Sequence, residues 1–194
     1  MRYLLVMIGM LYPFVMQAEE GGKFDKTLTL EGIVFHIGCE NNSSLNQLEI
    51  TPKGLEIDNS KVVQDVDGTV VNAEIADINK DGSPEIFVYI VSAGSGAYGS
   101  LVAYSTNRNK SLSAIYLHPL DEDKKHNAGY MGHDRFRIKG DRLVRSFPIY
   151  RDKDPDCCPS GGQRVMEYKL VAGEASWQLK LDKSRDKKSK EERK

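Results

Sequence analysis

The 194-residue sequence predicts an all-β fold, an antiparallel β-sandwich or barrel-like domain with at most one short helix. Segments rich in β-branched and aromatic residues recur at intervals of about ten residues, the rhythm of sandwiches and barrels. Clusters of Gly, Asn, Asp and Pro separate them and supply turns. Apolar residues at helical spacing do not extend far enough for alternating helices, which excludes an α/β architecture.

Each element has its own signal. Thr27-Leu-Thr-Leu30 alternates polar with apolar, Ile33-Val-Phe35 is β-branched and aromatic, and Leu48-Glu-Ile-Thr51 alternates before the turn Pro52-Lys-Gly54. Leu55-Glu-Ile57, Lys61 to Val66 and Thr69 to Ile78 read as further strands, the last two separated by the hairpin signal Asp67-Gly68. Glu85 to Val91 is nearly all apolar, which predicts a central strand covered on both faces. Leu101 to Ser105 and Leu112 to Leu117 follow. Two late hairpins are expected, one around Lys139-Gly-Asp141 and one around Ala172-Gly-Glu174. The single candidate helix is Leu120 to Ala128, with Asp121 as its cap.

Residues 1–18 are expected to form a secretory signal peptide: Arg2, an apolar run from Tyr3 to Met16, then the small Ala18 before Glu19-Glu20. The run is too short to span a bilayer, and no later segment reaches spanning length. No cysteine follows it to carry a lipid, so the exported chain is expected to have no membrane attachment. Residues 19–182 make one domain, and 183–194, with seven basic and three acidic side chains and no apolar one, predict a charged disordered tail. The domain segment carries 19 basic and 25 acidic residues, a net charge of −6 that suits a cationic partner. Nucleic acid is disfavoured, because the one basic cluster is the tail and no aromatic residue interleaves it. A homodimer is compatible with the sequence.

The cysteines are Cys39, Cys157 and Cys158, in a chain bound for a compartment where disulfides form. Adjacent cysteines rarely pair, so the expected bridge joins Cys39 to Cys157 or to Cys158. Their spacing fits no zinc site.

The segment Ser92-Ala-Gly-Ser-Gly-Ala-Tyr-Gly-Ser100 sets one large residue, Tyr98, among small ones. A backbone of that composition can protrude and present an aromatic hydroxyl. Gly94, Gly96 and Gly99 satisfy a dinucleotide-binding pattern, but that pattern requires a helix next, and Ser100 to Ser105 alternates like a strand. A nucleophile elbow needs glycine two residues either side of its serine; Ser95 has Ala93 and Ala97 there, and Ser92 has Ile90 before it. His36, His118, His126 and His133 have no relay or ligand spacing. An exported hydrolase is therefore a distant reading.

Asp77-Ile-Asn-Lys-Asp-Gly82 supports two readings. Asp77, Asn79 and Asp81 have the alternate oxygen spacing of a calcium loop, although position twelve is Val88 instead of the glutamate of an EF-hand. With calcium bound, the chain would be a calcium-stabilised extracytoplasmic binding module. Without it, the segment is a tight hairpin turn in which Asn79, Asp81 and Gly82 take positive φ. No other cofactor is expected.

Five segments together resemble the periplasmic inhibitors of invertebrate-type (I-type) lysozyme made by Gram-negative bacteria: Ser92 to Tyr104, Ala76 to Gly82, Leu117 to Asp123, Gly129-Tyr-Met-Gly-His-Asp134 and Pro159-Ser-Gly-Gly162. The resemblance runs over roughly Leu28 to Leu181. It implies a β-rich, periplasmic, non-catalytic protein whose Ser-Gly-x-Tyr loop enters the lysozyme active-site cleft. Carried over, the contact residues are Gly94, Ser95, Gly96, Ala97, Tyr98 and Gly99, and Ser160, Gly161 and Gly162 are a candidate second contact. The charged tail and the vicinal cysteines have no counterpart in the resemblance.

Overall fold

The computed structural model describes residues 22–94 and 96–188. The expected signal peptide, Ser95 and the last six residues lie outside them. The described chain forms twelve strands and no helix: β1 (Phe24–Leu30), β2 (Ile33–Cys39), β3 (Leu45–Lys53), β4 (Val62–Asp67), β5 (Thr69–Ala76), β6 (Glu85–Val91), β7 (Gly99–Ser105), β8 (Ser113–Leu117), β9 (Arg135–Lys139), β10 (Arg142–Pro148), β11 (Gln163–Ala172) and β12 (Trp177–Lys187).

The first four make a meander, β1-β2-β3-β4. The other eight form one sheet in the order β5-β6-β7-β8-β12-β11-β10-β9. Pairing is antiparallel except between β8 and β12, which run parallel with Trp177 opposite Ile115. The larger sheet curls until its two edges meet. Glu74 on β5 closes the seam, since its Oε2 accepts the Ile138 backbone N–H of β9 at 2.9 Å and the Tyr89 hydroxyl at 2.5 Å. A carboxylate thus stands in for a missing strand partner at an exposed edge.

The packing of β6 explains why its run is apolar from Ile86 onward. Ile86, Val88 and Ile90 point into a core shared with Phe35, Ile37, Leu48 and Ile50 of the small sheet. Phe87 and Tyr89 point the other way, into the interior of the curled sheet with Leu143, Phe147, Met166 and Leu179. Each face of one strand serves a different core, so no solvent-facing position remains to be polar. The small sheet is also fastened to the β5 edge by polar groups: Asn41 gives its amide to Val70 O and takes Val70 N–H, both at 2.9 Å. Lys26 adds a 2.7 Å bond to Ala73 O.

Several expectations need correction. Leu55 to Ile57 is not a strand; Asn59 brackets Leu55 through its side chain, and Glu56 and Ile57 donate to the carbonyls of Asn109 and Lys110. Asp67-Gly68 is not a hairpin turn, because β4 and β5 belong to different sheets. Leu120 to Ala128 forms successive turns stapled by Asp123 instead of a helix. The tail boundary at 183 is too early: β12 continues to Lys187 by pairing with Gln163 to Glu167, and Arg164–Asp186 and Arg185–Glu167 ion pairs hold its charged residues. Backbone pairing needs no apolar side chain, which is what composition alone misjudges there.

Candidate functional site

The tyrosine turn is the hairpin connection between β6 and β7, whose register ends with Val91 opposite Gly99. Ser92 N–H donates to Tyr98 O at 2.8 Å, and Tyr98 N–H donates back to Ser92 Oγ at 3.0 Å, so the loop is closed at its neck. Inside it, Ala97 N–H reaches Gly94 O at 3.2 Å, and Gly94 and Ala97 take positive φ. Of the expected contact residues, the structure gathers Gly94, Gly96, Ala97, Tyr98 and Gly99 into this one turn; Ser95 falls outside the described residues.

Tyr98 is 48 % exposed, yet it is not free-standing. Its ring folds over Gly96, where a Cβ would lie 2.4 Å from Tyr98 Cε2, and meets the Tyr130 ring edge-on at 5.6 Å. Beside it opens a cavity of about 550 Å³ walled by Leu101, Leu117, Leu120, Tyr130 and Phe136. The turn therefore presents a tyrosine whose orientation is set before any partner arrives, which lowers the ordering cost of binding.

Residues that sequence reasoning left without a role do the bracing. His133 N–H donates to both Gly96 O (2.9 Å) and Ala97 O (3.1 Å). Gly132, at φ +85, passes so close that a Cβ there would sit 1.9 Å from Gly96 O. Asp134 accepts Gly99 N–H at 2.9 Å and the Tyr130 hydroxyl at 2.6 Å through Oδ2, while Oδ1 takes Arg145 Nε at 2.6 Å. Arg145 also donates to the Tyr130 hydroxyl at 2.8 Å, and its guanidinium lies 5.2 Å from the centroid of the Tyr130 ring and 5.3 Å from that of Phe136. The Asp134 side chain is wholly buried. Burial works against the Arg145 charge, but the Asp134 carboxylate outweighs it and raises the guanidinium pKa. Burial, then the bond to Asp134, pushes the Tyr130 phenol above its ordinary value as well. The signal for this network was present: Arg145 occupies the inward position between Leu143 and Phe147 on β10, where a charge demands a buried partner.

The candidate second contact adjoins the turn. His133 stacks near-parallel on Tyr150 with centroids 6.3 Å apart, and the Tyr150 hydroxyl donates to Asp156 O at 2.8 Å. Within that loop, however, Ser160 gives its hydroxyl to Asp154, and Gly161 and Gly162 pair with the Ile149 backbone. A Cβ on Gly161 would meet Ile149 O at 2.6 Å, so packing accounts for this glycine. The cysteine expectation is overturned. Cys39 is a buried free thiol under the small sheet, and Cys157 is bonded to Cys158. Cys39 ends an inward-alternating strand, and that position places it in the core instead of at the distant loop.

In the 77–82 turn, Asp77 spends its oxygens on the N–H groups of Asp81 (3.1 Å) and Gly82 (2.9 Å), and Asn79 bonds Asp81. Positive φ falls on Lys80 and Gly82, not on Asn79 or Asp81. Glu85, at the ninth position of the calcium-loop pattern that starts at Asp77, brings a carboxyl oxygen within 4.8 Å of those of Asp77 and Asp81. These three could hold a hard cation. Burial, with help from Asp81 and Asp77, raises Glu85 to about 8.

Among the described residues the tyrosine turn has no nucleophile–base pair: Ser92 Oγ accepts from backbone, and His133 meets the turn through its main chain. Tyr98, braced and exposed on an all-β scaffold, is therefore a candidate binding residue. Residues 54–127, a segment that runs from before β4 past β8, match the family described as periplasmic lysozyme inhibitor of I-type lysozyme. No curated protein and no solved structure matches the chain.

Proposed function

We propose that this chain inhibits an I-type lysozyme by seating the Ser92–Tyr98 turn in the enzyme's active-site cleft, with Tyr98 as the anchor. The observation that carries the reading is Tyr98 itself, half-exposed on a closed turn that Asp134, His133 and Gly132 brace from beneath, within the segment that matches the inhibitor family. Lysozymes cleave glycan with two carboxyl groups flanking the scissile bond. The Tyr98 hydroxyl and the Ser95 hydroxyl are donors of the kind such groups accept. Blocking requires no chemistry from the inhibitor, only a narrow, rigid insert, and glycines at 94, 96 and 99 keep this one narrow. The 151–162 loop, joined to the turn through His133 and Tyr150, supplies a second contact at the edge of the cleft. Export to the periplasm through residues 1–18 places the chain where an incoming lysozyme acts.

Inhibition titrations against I-type, chicken-type and goose-type lysozymes test the function. Inhibition of the I-type enzyme is the expected result. Absence of I-type inhibition at micromolar concentration by demonstrably folded protein would overturn it.

A further inference from the structure

The loop beside Tyr98 carries chemistry that occlusion of a cleft does not require. Cys157 and Cys158 are bonded to each other and both are exposed, whereas Cys39 is buried. A bond between neighbours in sequence closes almost no chain, so it constrains the unfolded state far less than a long-range bridge would. Its effect is local. Asp154 ties the two ends of the loop together, accepting Arg151 N–H, Ser160 N–H and the Ser160 hydroxyl, each at 2.7 Å. Between those ends the path is set by the Cys158 N–H bond to Pro155 O at 2.9 Å and by the disulfide itself. Asp156, the residue before the disulfide, forms with Gly96, Tyr98, Met131 and His133 the wall of a crevice of about 140 Å³. The sulfur pair therefore shapes the surface that faces the anchoring tyrosine.

We propose that Cys157–Cys158 is a thiol–disulfide exchange site, at which a dithiol reductant opens the bond, reshapes the Asp156 wall and weakens lysozyme binding. The inference rests on the inhibitory reading above. A thiolate of the reductant attacks one sulfur; the S–S bond breaks, and its electron pair leaves on the other cysteine, which takes up a proton. The second thiol of the reductant then displaces the mixed disulfide, giving two protein thiols and an oxidised dithiol, a two-electron exchange. Exposed disulfides are the labile ones in such exchange. Buried Cys39 does not take part.

The test reduces the folded protein with a dithiol, removes the reagent, and titrates the protein against I-type lysozyme before and after reoxidation. Two thiols should appear in the folded state, inhibition should weaken by tenfold or more, and reoxidation should restore it. The double variant C157S/C158S should reproduce the weakened state while melting close to wild type. Equal inhibition by oxidised and reduced protein overturns the inference, as does finding no Cys157–Cys158 bond by mass spectrometry. A C157S/C158S protein that melts far below wild type would make the bond a staple and overturn it too. If the oxidised protein does not inhibit at all, the inhibitory reading itself fails, an outcome distinct from inhibition that ignores the redox state.

Discussion

Asp134 Oδ2 accepts the backbone N–H of Gly99 at 2.9 Å, so a buried carboxylate at the approach to β9 fixes the residue that follows Tyr98. The same carboxylate is held by Arg145, which makes the orientation of an exposed side chain depend on an ion pair inside the curled sheet. A Cβ on Gly99 would lie 2.5 Å from Asp134 Cβ, which is why this strand starts with glycine.

Removing Asp134 tests that dependence. Asp134→Ala leaves the Arg145 charge buried without its partner, a change that costs about 3–5 kcal/mol. Asp134→Asn keeps an oxygen for Gly99 and should cost less. Denaturant unfolding should rank wild type above Asn above Ala, and inhibition should fall in the same order. Equal stability of all three would show that the pair does not brace the site.

Gly132 gives a finer probe, because its effect should be on the turn more than on the fold. A Cβ there collides with Gly96 O, so Gly132→Ala must push the turn outward. Gly140→Ala is the control: φ is also positive, at +59, but the space is open, and the expected loss is about 1 kcal/mol of stability with unchanged inhibition. Weakened inhibition in the first variant and not in the second is the predicted pattern, read by titration against lysozyme.

Glu85 predicts a pH dependence of stability. Its folded value of about 8 lies above the ordinary carboxylate value of 4.5, so the native state holds a proton that the unfolded state has lost. Stability from this group is full below about pH 4.5 and declines as pH rises through 8, by an amount on the order of a few kcal/mol at most. Glu85→Gln should flatten that slope in urea titrations run from pH 5 to 9. Because Asp77 already spends its oxygens on the turn, melting curves with calcium and with a chelator should coincide. A calcium-dependent rise at pH 8 would instead make Glu85 a ligand and revive the calcium-stabilised module.

The fold class was legible because alternation and turn chemistry are local. β6 shows this best: its nearly all-apolar run predicted coverage on both faces, and two cores now account for it. The Asp67-Gly68 turn misled because a glycine at positive φ marks a sharp change of direction without saying whether the next strand pairs back or crosses to another sheet. Of the candidate site, the turn that carries Tyr98 and its glycines was legible from composition. The Gly132-His133-Asp134 brace was not, since its meaning depends on contact with a turn some thirty-five residues away, as the separation of Gly99 and Asp134 shows. Cys157 and Cys158 were misassigned for a related reason: the general rarity of adjacent pairing outweighed the burial of Cys39, which only packing reveals.

The central claim is that Tyr98 anchors the turn in the lysozyme cleft, and the most direct measurement is inhibition of I-type lysozyme by Tyr98→Ala with circular dichroism to confirm the fold. Truncating an interface anchor costs on the order of 2 kcal/mol or more, so inhibition should weaken by about thirtyfold or more. Tyr98→Phe, which keeps the ring and loses the hydroxyl, should fall between that variant and wild type. A folded Tyr98→Ala protein that inhibits as wild type does would contradict the account.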